Sequence, residues 1–105
     1  MDFSNVRFKR DSYVVNAPVA PAELASFIAR PDFDFVIAEP AGQDPRAGTE
    51  EFAQVANLDG IYRFEVSTPT EGLSGTMLNT VEEVVTAFGD WASQRPGWQA
   101  QHTWD

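Results

Sequence analysis

Apolar residues recur along this chain with two different periods, and the switches between them mark its elements. Around Val6 and Phe8, and again at Tyr13-Val14-Val15, the alternation predicts one bent strand or a short hairpin. Leu24, Phe27 and Ile28 then follow at helical spacing. Pro21 opens that helix, since the first turn does not need its missing N–H, and Pro31 stops it by forcing the preceding residue out of the α region. Strand alternation returns over 33–38, with Phe33, Phe35 and Ile37 on one face and Asp34 and Val36 on the other. Residues 39–50 have no period and predict the longest loop.

Residues 52–57 and 61–67 flank Asp59-Gly60, the strongest hairpin signal in the chain. With those two residues as the turn, Leu58 faces Ile61, Val55 pairs with Phe64, and Ala53 pairs with Val66, with Tyr62 beside them. Residues 68–76 read as a second loop. The last helix is the best specified element. Asn79 and Thr80 both suit an N-cap, with Glu82 and Glu83 three residues on. Val81, Val84, Val85, Phe88, Trp91 and Ala92 keep helical spacing, and Arg95 and Pro96-Gly97 supply its end. Residues 98–104 predict an edge strand with Trp98, Ala100, His102 and Trp104 on one face. The order β-α-β-β-β-α-β predicts a single α+β domain. About five strands form a mixed or mainly antiparallel sheet, with two helices packed on one face.

Composition narrows the classes. A chain of 105 residues forms one core without staples. It has no cysteine, which excludes disulfides, thiolate metal sites and a cysteine nucleophile, and which fits a reducing compartment. No run approaches the ~18 consecutive apolar residues of a membrane span. The first residues lack the basic-then-apolar order of a signal peptide, so a cytoplasmic protein is expected. Arginine outnumbers lysine six to one, which points to a GC-rich bacterial or phage genome.

Charge alters the picture more than composition does. The net charge is −9, and three of the seven basic residues, Arg7, Lys9 and Arg10, fall in the first ten positions. Residues 11–105 therefore carry four arginines against fifteen carboxylates. Such a chain repels phosphate backbones and anionic membranes, so neither nucleic acid nor a membrane is expected as a partner, and a basic protein is favoured.

Candidate chemistry is sparse. His102 is the single histidine. Gly72-Leu73-Ser74-Gly75-Thr76 lacks the final glycine of a nucleophile elbow and reads as a turn. Asp32, Asp34, Glu39, Asp44, Glu50 and Glu51 could offer oxygen ligands to a divalent cation, but position 36 is valine where a calcium loop needs Asp or Asn. No phosphate-cradling glycine motif is present, so no cofactor or metal is expected and no residue is assigned a catalytic role.

The expectation is a non-enzymatic acidic binding module of the inhibitor or immunity type that blocks a basic partner. Asp32, Asp34, Glu39, Asp44, Glu50 and Glu51 would form its contact surface, and Trp98 and Trp104 its aromatic anchors. One alternative is an assembly component that self-associates into a homo-oligomer through the 98–104 edge strand. The other is a small enzyme or ligand-binding domain built from carboxylates with Tyr13, Tyr62 and His102.

Overall fold

A computed structural model describes residue 3 and residues 6–10, 13–14, 20–29, 35–40, 51–69, 71–94 and 97–104. In chain order the elements are β1 (Val6–Arg10), β2 (Tyr13–Val14), α1 (Pro21–Ala29), β3 (Phe35–Pro40), β4 (Phe52–Leu58), β5 (Ile61–Thr68), β6 (Gly72–Leu78), α2 (Val81–Ser93) and a 3₁₀ helix (Trp98–Gln101). The strands form one sheet in the order β2-β1-β3-β4-β5-β6, with every neighbouring pair antiparallel. The architecture is thus the α+β fold the pattern predicts, with five full strands and a two-residue sixth.

The β4–β5 hairpin forms as the Asp59-Gly60 signal requires. Both turn residues have positive φ, 55° and 90°, and this twist matches the flanking strands. Leu58 pairs with Ile61, Val55 with Phe64, and Ala53 with Val66. The Asn57 side-chain oxygen accepts the Gly60 N–H at 3.1 Å and closes the turn. At α2 it is Thr80 that caps. Its hydroxyl accepts the Glu83 N–H at 3.1 Å and donates to the Glu83 carboxylate at 3.2 Å. The helix ends where Gln94 turns left-handed (φ 53°).

Period 2 divides the sheet residues into two sets. Phe8, Val36, Ala38, Ala53, Val55, Tyr62, Phe64, Val66 and Leu78 share one face and are buried. Leu24 and Ile28 of α1 and Val84, Val85, Ala87 and Phe88 of α2 complete the same core, so both helices cover that face. Edge-to-face ring contacts run through it from Phe3 to Phe8, Phe88, Phe64, Trp98 and Trp104, with centroids 4.9–6.3 Å apart.

Two expectations are corrected. Of residues 68–76, read as a loop, 72–76 belong to the strand β6 (Gly72–Leu78). The Thr68 hydroxyl accepts the Glu71 N–H at 3.0 Å and Gly72 takes φ 73°, which returns the chain alongside β5. Residues 98–104 do not form an edge strand. Gly97 (φ 78°) starts a 3₁₀ turn in which Ala100 N–H bonds Gly97 O and His102 N–H bonds Gln99 O, each at 3.2 Å. Burial of Trp98 in the core draws that segment down onto the sheet.

Candidate functional site

The strand residues of opposite parity point away from the helices. They are Arg7 and Lys9 on β1, Phe35, Ile37 and Glu39 on β3, and Phe52, Gln54, Ala56 and Leu58 on β4. Ile61, Arg63, Glu65 and Ser67 on β5 and Leu73, Gly75 and Met77 on β6 complete the set. Among the described residues, every large apolar side chain that is exposed lies here: Phe35, Leu58, Ile61, Leu73 and Met77. In ordinary antiparallel sheets the solvated face is polar. This one carries exposed Phe35, Leu58, Ile61 and Met77 towards the β4–β5 turn and Leu73 at the opposite end, with Glu65 between them.

That charge is fixed in place. Gln54 Nε2 donates to Glu65 Oε1 at 2.8 Å, and Arg63 Nε donates to Glu65 Oε2 at 3.2 Å, forming a polar row across β4 and β5. Gly75 on β6 makes room for it. A Cβ there would lie 2.5 Å from Arg63 Nη2, so the guanidinium rests flat on the strand only because position 75 has no side chain. Towards the β1 side, the Glu39 side chain is 10% exposed and its carboxylate holds both Lys9 and Arg7, the latter at 3.2 Å. Burial pushes the Glu39 carboxyl up, but hydrogen bonds and charge from Lys9 and Arg7 outweigh it and hold the group below the usual carboxylate range. The basic groups of this face are therefore committed to carboxylates within it. Exposed acids stand at the ends of the strands instead, with Asp59 in the β4–β5 turn and Glu71 in the β5–β6 turn.

Comparison with known proteins adds no relative. No family model, curated protein or solved structure matches this chain. Its function is to be read from the surface itself.

None of the four expected contact residues that the structure describes, Glu39, Glu51, Trp98 and Trp104, is fully exposed. Glu39 is buried and neutralised by its two cations, so it offers no free charge. Trp98 is 4% exposed and packs on Phe64 and Trp104, so it anchors the core and not a partner. Trp104 is half-buried against Trp98 and His102, and its indole N–H donates to Gln99 O at 2.8 Å. Glu51 is half-buried beside Trp91 and Gln94. Asp32, Asp34, Asp44 and Glu50 lie outside the described residues, as does the Tyr13 side chain. Tyr62 belongs to the core, whereas His102 borders an open cleft with Thr76, Glu83 and Trp104. Among the described residues no three His, Asp or Glu side chains are placed to hold a metal ion, and no helix is long and apolar enough to cross a membrane.

The residues that sequence reading missed, Phe35, Leu58, Ile61, Leu73 and Met77, left a legible signal. Phe35-Val36-Ile37-Ala38 is apolar at four consecutive positions, so β3 is hydrophobic on both faces. A strand of that kind belongs in a sheet covered on both sides.

Proposed function

We propose that this chain is a non-enzymatic protein-binding module of the inhibitor or immunity type, and that the helix-free face of its sheet covers a basic partner protein. One observation carries the reading: the exposed large apolar side chains of the described residues all lie on that single face, in a chain of net charge −9. Apolar contact supplies affinity, and the acidic remainder steers a cationic partner towards it. The fixed Gln54–Glu65–Arg63 row orients the partner, because only a surface that meets its hydrogen-bonding groups avoids stranding them. The absence of cysteine and the preference for arginine fit a bacterial cytoplasmic setting.

Capture from source-cell lysate at low and moderate salt tests this, run in parallel with a Leu58→Thr, Ile61→Thr variant that removes one apolar end of the face. Retention of a single basic protein, weakened at least tenfold in the variant and by salt, is the expected result. Retention that ignores the variant, or no retention at all, overturns the assignment of this face. A second reading, self-association through a sheet edge, is favoured by the length of β6 as an edge strand. Sedimentation that shows concentration-dependent dimers surviving salt would replace the first reading with the second.

A further inference from the structure

A cleft of about 480 Å³ lies between residues 75–78 of β6, Glu83 in the first turn of α2, and residues 102–104. Three side chains give it a chemical character. The first is Glu83, the one carboxylate of a lining that holds, among the described residues, no lysine or arginine. One of its oxygens accepts from the Thr80 hydroxyl at 3.2 Å. No cation among the described residues pairs with it, so its charge is not neutralised within the fold.

The second is Thr76. It is only 4% exposed although it lines the cleft. Among the described residues its hydroxyl has no hydrogen-bond partner. Buried hydroxyls are ordinarily bonded, so a group seated in the cleft is what completes this one. The third is Trp104. Its indole N–H donates to Gln99 O at 2.8 Å, and its ring stands edge to face against Trp98 and His102. With the N–H already engaged, Trp104 offers the cleft aromatic surface.

A carboxylate, a hydroxyl and an aromatic wall with no competing cation match an organic cation. Guanidinium fits this set better than ammonium. It is planar and weakly hydrated, so it stacks on an indole while its forked N–H groups reach oxygen acceptors. Met77 borders the cleft and also belongs to the open face, where it is exposed. A partner lying on that face thus reaches the cleft by passing one side chain around β6. Resting on the functional reading above, we infer that the cleft receives an arginine side chain of the basic partner. Glu83 pairs its charge, Thr76 accepts one N–H, and Trp104 stacks on its plane.

The test titrates the full chain with N-acetylarginine amide at low salt, following the Trp104 indole signal and the backbone amides. The citrulline analogue keeps the shape without the charge, and the lysine analogue keeps the charge without the planar fork. The expected result is saturable shifts at residues 76, 83 and 102–104 with arginine, binding about fivefold weaker with lysine, and no response to citrulline. Glu83→Gln, which keeps an oxygen for Thr80, should weaken arginine binding about tenfold, and the isosteric Thr76→Val about threefold. In the lysate capture, Glu83→Gln should lower retention of the basic partner about fivefold or more. No saturable shift with arginine, or an equal response to citrulline, overturns the cation site. Lysine binding as tight as arginine overturns the guanidinium. Partner capture unchanged by Glu83→Gln, while arginine binding is lost, overturns the partner as source in favour of a free guanidinium compound. Absence of any captured partner overturns that source together with the functional reading, whereas a null titration overturns the cleft alone.

Discussion

The two faces of this sheet are made by the same strands, residue by alternate residue, yet they hold together by different means. On the helix-covered face, Phe8, Phe64 and Phe88 are at most 2% exposed and interlock edge to face, so stability comes from dry, shape-matched contact. On the open face the centre is polar, with Glu39 between Lys9 and Arg7 and Glu65 between Gln54 and Arg63. Apolar side chains stand at the margins, half in water. A core face is finished by folding. The open face is stable in water because its charges are already paired, and folding leaves its apolar margins exposed.

Truncation should separate the faces most sharply. Phe64→Ala removes a ring that touches both Phe88 and Trp98 and should cost about 3–5 kcal/mol in denaturant unfolding. Met77→Ala, on the other side of the same sheet and 47% exposed, should cost no more than about 0.5 kcal/mol. Equal losses would mean that the open face is as closely packed as the core.

The Glu39 cluster gives the next largest effect. Glu39→Gln leaves the half-buried Lys9 without its carboxylate and removes the Arg7–Glu39 ion pair, and should cost about 1–3 kcal/mol at neutral pH. The folded carboxyl is held below its ordinary value, so its contribution is fully present above the unfolded pKa and fades as pH falls through the folded one. The stability gap between wild type and variant should therefore close below about pH 4. A gap that stays constant to lower pH would show that Glu39 acts through packing alone.

The Arg63–Gly75 contact gives a smaller, sign-changing effect. Gly75→Ala displaces the guanidinium and should destabilise by about 0.5–1 kcal/mol. In an Arg63→Ala background the same change should be neutral or stabilising by about 0.5 kcal/mol, because it then only reduces the freedom of the unfolded chain. A cycle without that reversal would assign Gly75 to backbone geometry instead. Smallest of all, Leu58→Thr, Ile61→Thr should shift stability by no more than about 0.5 kcal/mol while weakening partner capture, which separates binding from folding.

Local chemistry was sufficient wherever a few neighbouring residues decide the outcome. Asp59-Gly60 imposed both a turn and a register, because two adjacent positive φ values leave few other hairpins. Thr80 with Glu83, followed by the apolar stripe of α2, likewise carried its own start and its own buried side. The antiparallel α+β class followed from those elements. Tertiary structure decided the rest. β6 has a weak pattern of its own and becomes a strand because β5 is there to pair with, its Gly75 being explained only by Arg63 on the neighbouring strand. The 98–104 segment alternates as a strand would, but burial of Trp98 against Phe64 favours a 3₁₀ turn. Nor could β3 declare which of its two apolar faces turns inward. Val36 and Ala38 meet the helices and Phe35 is left outside, because the facing residues of β1 and β4 set which parity joins the core. Periodicity along a chain reports that a face exists, whereas what covers that face depends on residues far away in sequence.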